Sequence, residues 1–104
     1  EMVDVPVSLL HPDHYVLQVK GNSMIDEQIH DKDYIVARKT NTARSGQIVV
    51  ALINGEATLK YYIHGPEGVE LHPRNPDFPI IKVDPKDDFH INGVLLYSFR
   101  NYLN

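Results

Sequence analysis

The pair Asn54-Gly55, set between two β-forming runs, constrains this chain more than any other feature of its sequence. Residues 47–53 (Gln-Ile-Val-Val-Ala-Leu-Ile) are nearly all apolar, the pattern of a strand covered on both faces. Residues 56–62 resume at once with Glu-Ala-Thr-Leu-Lys-Tyr-Tyr. Asparagine and glycine are the residues that tolerate positive φ at both central positions of a type I′ turn, so the two runs are predicted to form a tight hairpin. A two-residue loop fixes the register: Ile53 faces Glu56 and Val49 faces Lys60. Strand alternation then groups Glu56, Thr58 and Lys60, with Val49, Ala51 and Ile53 opposite them. A lysine is thereby placed among apolar neighbours, with a threonine hydroxyl two positions back on its own side. Burial of that kind disfavours the ammonium form and lowers the pKa.

The remaining signals are also strands and turns. Residues 15–19, 34–38, 69–72, 80–83 and 91–99 are β-rich, and Gly65-Pro66-Glu67-Gly68 marks a second turn. Residues 73–79 contain three prolines and are predicted to be an extended loop. No segment sustains a 3.6-residue period, and a single helical turn over residues 24–28 is the most helix expected. The 104 residues read as one mainly β domain (1–104), without repeat, linker or low-complexity tract. A formal charge of −4 provides no basic stripe for nucleic-acid phosphates. The absence of cysteine excludes disulfides and thiolate metal sites and is compatible with a reducing cytoplasm, the expected location. No apolar run approaches the ~20 residues needed to span a bilayer and no signal peptide opens the chain, so no membrane partner is expected.

Ser23 lies in the polar turn Gly21-Asn22-Ser23-Met24 that follows the first strand, and Lys60 comes thirty-seven residues later. A serine exposed on a turn and a lysine fixed in an apolar strand are the two halves of a Ser–Lys dyad, in which a neutral amine replaces histidine as general base. Taken singly, each half has an ordinary explanation: Gly-Asn-Ser is common turn chemistry, and strand lysines usually snorkel to water. His11, His14, His30, His64, His72 and His90 show no metal-ligand spacing and are expected at exposed loops or strand ends. Asp84, Asp87 and Asp88 read as a solvated turn. Asp26, Asp31 and Asp33 lack the ligand ladder and closing glutamate of a calcium loop. Of Tyr61 and Tyr62, one ring is expected in the core and one at the surface. No metal or other cofactor is expected.

The conjunction of Gly21-Asn22-Ser23-Met24, residues 31–36 (Asp-Lys-Asp-Tyr-Ile-Val), residues 45–51 (Ser-Gly-Gln-Ile-Val-Val-Ala) and residues 55–60 (Gly-Glu-Ala-Thr-Leu-Lys) resembles the LexA/UmuD self-cleaving serine peptidase family. So do Val69-Glu70-Leu71, Pro73-Arg74-Asn75 and Gly93-Val94, and the likeness runs over residues 15–100 with the family's serine-to-lysine spacing. The resemblance implies a LexA/signal-peptidase-like fold of twisted antiparallel sheets with hairpins and little helix. It implies Ser23 as nucleophile, Lys60 as base, the backbone amides of Asn22 and Ser23 as oxyanion donors, and Gly21, Met24 and Thr58 in support. It further implies a homodimer whose own N-terminal linker is the substrate and whose cleavage is stimulated by RecA filaments.

Family members cut an Ala-Gly or Cys-Gly bond roughly three dozen residues before the serine, and no such dipeptide precedes Ser23 here. The expectation is therefore a C-terminal catalytic and dimerisation domain, with the cleavage site and N-terminal DNA-binding domain absent and DNA reached only through the latter. The leading reading is the autopeptidase domain of an SOS transcriptional repressor. A UmuD-like accessory protein of translesion polymerase and a phage repressor domain stand as alternatives within the family. A non-catalytic dimerisation module is the alternative of another class.

Overall fold

The computed structural model describes residues 11–102; residues 1–10 and 103–104, which the expected single domain also includes, lie outside it. Among the described residues seven strands form one antiparallel sheet: β1 (His14–Gln18), β2 (Tyr34–Arg38), β3 (Ile48–Ile53), β4 (Glu56–Gly65), β5 (Gly68–His72), β6 (Ile81–Lys82) and β7 (Phe89–Phe99). Their order is β1-β2-β7-β3-β4-β5-β6. The mainly β expectation holds, with all strands in a single sheet. The helical content among the described residues is one 3-10 turn, Ile25–Glu27.

The β3–β4 hairpin has the register its loop dictates. Val49 faces Lys60, Ala51 faces Thr58 and Ile53 faces Glu56. Asn54 and Gly55 take φ of 51° and 84°, the double positive-φ turn that this residue pair accommodates. The loop is also tied from outside. Asn54 Nδ2 donates to Asp87 Oδ1 at 2.9 Å, and the Asp88 N–H donates to Asn54 Oδ1 at 3.0 Å. The acidic turn at 84–88 is thus a clasp on the hairpin as well as a solvated turn, and the Asn54 hydrogen bond holds the Asp87 carboxyl below its ordinary value. The second turn also closes as its residues direct, with Gly65 opposite Gly68.

Strand β3 explains its apolar run by alternation. Val49 and Ala51 join a buried cluster with Tyr62, Leu71, Ile91 and Val94. Val50 joins another with Met24, Ile29, Ile35 and Ala37. Both faces are covered, as a run without polar alternation requires. The long strand β7 pairs with β2 and β3 and shifts register against each. At the shift against β3, the Asn92 carbonyl accepts from Tyr15 Oη at 2.9 Å, so the irregularity is satisfied by a side chain of β1.

The structure refines the sequence-based expectation at the strand over 80–83, at His14 and at Tyr61. The strand predicted over 80–83 is reduced to Ile81–Lys82 between Pro79 and Pro85, which have no N–H to give to a ladder. Only the Val83 N–H extends the pairing, to Val69 O at 3.0 Å. His14, His64 and His90 lie at strand ends, as expected, and His64 and His90 are exposed, whereas His14 is half-buried and stacked on His11. Tyr62 is the core ring of its pair, whereas Tyr61 is half-buried beneath the Arg74 guanidinium, 3.8 Å from its ring centre.

Candidate functional site

The turn carrying Ser23 is built by four separate constraints. Gly21 takes φ of 83°, which bends the chain away from β1. Asp31 closes the bend reciprocally with Asn22: the Gly21 N–H donates to Asp31 Oδ1 at 2.7 Å, and the Asp31 N–H donates to Asn22 Oδ1 at 2.9 Å. Met24 is only 1% exposed and anchors the turn in the core. The segment after β5 then straps the turn from the other side. The Arg74 N–H donates to Ser23 O at 2.7 Å, the Asp26 N–H to Arg74 O at 2.8 Å, and Asn75 Nδ2 to Asn22 O at 2.8 Å.

Lys60 reaches this turn from β4. Its Nζ lies 3.0 Å from Ser23 Oγ and 2.6 Å from Thr58 Oγ1, and donates to both hydroxyls. The residue is 7% exposed. No carboxylate forms an ion pair with it among the described residues. Burial without a countercharge pushes its pKa below the ordinary lysine value. A neutral amine within hydrogen-bond distance of a hydroxyl can accept that hydroxyl's proton. The N–H groups of Asn22 and Ser23 donate to no protein atom among the described residues.

Both side chains open onto a cleft of about 580 Å³, lined by Leu17, Val19, Met24, Ile35, Ala57 and Leu59 among others. Gln18, Lys20 and Glu56 add polar groups to these mostly apolar walls, and the end of β1, an edge strand among the described residues, forms one side. Among the described residues no strand pairs with the outer side of β1, and such an edge offers backbone groups that an extended peptide can match.

The structure therefore brings together Gly21, Asn22, Ser23, Met24, Thr58 and Lys60, the residues singled out from sequence. Sequence reasoning assigned no part to Asp31, to Arg74 and Asn75, or to the pair Asp33–Arg100. Arg100 Nε and Nη2 grip the two carboxylate oxygens of Asp33 at 2.6 and 3.0 Å, and the His30 N–H adds a third bond at 2.8 Å. The spacing of Asp31 and Asp33 was a signal of local turn chemistry, whereas nothing local to Asp33 points to an arginine 67 positions away. Among the described residues no cluster of three or more His, Cys, Asp or Glu could hold a metal ion, and no helix is long and apolar enough to cross a membrane.

Comparison with known proteins gives concordant results. The family model described as Peptidase S24-like matches residues 1–96. The LexA repressor of Syntrophotalea carbinolica is 44% identical over 104 residues, covering 98% of this chain and 51% of that protein. The LexA repressor of Pseudothermotoga lettingae is 44% identical over 105 residues, covering 98% and 52%. That of Stenotrophomonas maltophilia is 49% identical over 80 residues, covering 77% and 38%. The chain spans about half the length of the first two of these relatives, and less of the third.

Proposed function

Since the chain belongs to the Peptidase S24-like family, we propose that it is the self-cleaving peptidase domain of a LexA-type repressor, working through Ser23 and Lys60. The observation that carries this reading is a buried lysine amine, without a countercharge among the described residues, 3.0 Å from a serine hydroxyl at the wall of a mostly apolar cleft. A non-catalytic dimerisation module has no use for such an amine, because burying it uncompensated costs stability and returns none.

In this mechanism neutral Lys60 takes the proton from Ser23 Oγ as that oxygen bonds to the carbonyl carbon of the scissile peptide. Negative charge collects on the carbonyl oxygen, and the N–H groups of Asn22 and Ser23 stabilise it. The tetrahedral intermediate collapses with cleavage of the C–N bond, and protonated Lys60 returns its proton to the leaving amine. Neutral Lys60 then deprotonates a water that attacks the acyl ester, and its proton passes to Ser23 Oγ as the ester C–O bond breaks, releasing the acid and restoring Ser23. Thr58 holds Nζ on line by accepting one of its hydrogens. Gly21 and Met24 set the turn that presents the hydroxyl.

The substrate in this reading is an extended segment of the parent chain, its linker, laid along the edge strand that lines the cleft. Self-cleavage would separate this domain from an N-terminal DNA-binding half. Homodimerisation and stimulation by RecA filaments are part of the proposal on the strength of the family resemblance. The same chemistry would serve a UmuD-like or phage-repressor parent.

The test is cleavage in trans of a peptide containing an Ala-Gly bond in a linker-like sequence, over pH 6–10, alongside Ser23→Ala. Cleavage that needs Ser23 and rises with pH is the expected result. Cleavage that persists in Ser23→Ala overturns the nucleophile assignment, and a flat pH profile overturns Lys60 as base.

A further inference from the structure

We infer that Asn75 is a positioning residue for the reaction, holding the Ser23 N–H in the orientation that receives the oxyanion. The inference rests on the Ser23–Lys60 reading above and adds a residue which that reading does not contain.

The Asn22 C=O and the Ser23 N–H belong to one planar trans peptide group and point in opposite directions. Whatever fixes the oxygen fixes the N–H. Asn75 Nδ2 donates to Asn22 O at 2.8 Å, and it provides the side-chain contact to that oxygen. The Ile25 N–H also reaches it, at a longer 3.3 Å. The next plane is set separately, by the Arg74 N–H on Ser23 O at 2.7 Å.

The Asn75 amide is itself held in one orientation. Its Oδ1 accepts from the Asp77 N–H at 2.9 Å, which requires an acceptor, while Asn22 O requires a donor. An exchanged amide would set N–H against N–H and oxygen against oxygen, so both contacts select the same orientation. The backbone is restrained as well. Pro76 follows Asn75 and disfavours the helical region for it, and Pro73 precedes Arg74 with its own φ fixed. Arg74 pins the strap to both neighbours, over the Tyr61 ring at 3.8 Å and to Glu27 at 3.4 Å. Tyr61 adjoins Lys60 on β4, so one segment spans the serine turn and the lysine strand.

An oxyanion donor contributes most when its direction is set before charge develops, because no reorganisation is then needed. A side chain that locks the donor's peptide plane should therefore act on the transition state and leave substrate binding alone.

Two variants separate donor from fold. Asn75→Asp keeps the acceptor for the Asp77 N–H, loses the donor to Asn22 O and nearly preserves shape. Asn75→Ala loses both bonds without adding charge. Each is compared with the unsubstituted chain and Ser23→Ala for peptide cleavage, for affinity towards a peptidyl boronic acid that forms a tetrahedral adduct on serine, and for thermal midpoint. The expected result is a kcat roughly 10- to 100-fold lower in both variants, with KM nearly unchanged and boronate affinity reduced by a similar factor. Folded variants with unchanged kcat overturn the inference, as does a loss confined to KM or a kcat loss without weaker boronate binding. Should Asn75→Ala fail to fold, the Asp variant decides on the same readouts. Cleavage by the unsubstituted chain that survives Ser23→Ala overturns the underlying reading and the inference with it, a result distinct from failure at Asn75 alone.

Discussion

Asp33 and Lys60 are the two charged side chains buried among the described residues, at 3% and 7% exposure, and their surroundings differ in kind. Asp33 is gripped at both oxygens by Arg100 and accepts a third hydrogen bond from the His30 N–H. Among the described residues Lys60 meets two hydroxyls and no carboxylate. Each pKa is lowered, yet the meanings are opposite. For Asp33 the Arg100 hydrogen bond leads the causes and favours the charged form. For Lys60 the cause is desolvation, which favours the neutral form. One site spends its burial on locking the segment after β7 to the turn before β2. The other keeps an amine ready to take a proton. The cause of the shift, and not its direction, tells structure from chemistry.

Replacing each residue is the strongest way to break this contrast. Lys60→Met should lower peptide cleavage by roughly 10³-fold or more, since the base is lost, while raising the thermal midpoint by about 5 °C at neutral pH. The pH sense follows from linkage. Between the lowered native pKa and the ordinary lysine value of about 10.4, the unfolded chain binds more protons than the native one, so the native stability of the unsubstituted chain rises with pH. The advantage of Lys60→Met is therefore full below the native pKa and vanishes above the unfolded one. Denaturation midpoints across pH 6–10.5 measure it; a variant less stable at every pH would show that the lysine supports the fold.

Asp33→Asn should do the reverse. Its thermal midpoint should fall by roughly 5–10 °C, a range kept modest because the arginine is partly open to solvent. Cleavage per folded molecule should change less than about threefold. The carboxylate's contribution is fully present above the ordinary aspartate pKa of about 3.9 and is lost as pH falls through the lowered native value. The stability gap between the two proteins must then close in acid. A gap that stays constant from pH 6 to pH 2.5 would remove the ion pair as its cause. A large loss of cleavage in folded Asp33→Asn would erase the division of labour between the sites.

How far each site could be read from sequence follows the same division. Lys60 was legible because its placement is local: Asn54-Gly55 dictates the turn, the turn dictates the register, and the register puts the lysine opposite Val49. That Ser23 meets it is a tertiary fact, and it was reached through family resemblance, since no periodicity connects a polar turn to a strand 37 residues on. Asp33–Arg100 was illegible for want of either aid. The strap at Arg74 and Asn75 shows the intermediate case. Its three prolines announced an extended loop over 73–79, but where that loop lies depends on backbone carbonyls of Asn22 and Ser23, which no side-chain pattern advertises. Residues 80–83 carried apolar β-formers, and the flanking prolines outweighed them.

The finest distinction concerns what holds the amine of Lys60. Thr58 Oγ1 lies closer to Nζ than Ser23 Oγ does, 2.6 against 3.0 Å, and it can only position the amine, being no nucleophile in this geometry. A hydroxyl acceptor stabilises the ammonium more than the neutral amine, because a hydrogen bond from a charged donor is the stronger. Thr58→Val keeps the shape and removes that acceptor. Two effects should appear together: kcat lower by roughly tenfold through a less well-aimed amine, and the alkaline rise in cleavage displaced to lower pH, since burial then acts on the amine with less opposition. The pH profile of the variant measures both. A fall in kcat with the rise displaced to higher pH would mean that Thr58 shields the amine from charging rather than supporting its charged form. An unchanged profile would leave Ser23 alone to position Lys60, and the two hydroxyls would then be unequal in function in the opposite order to their distances.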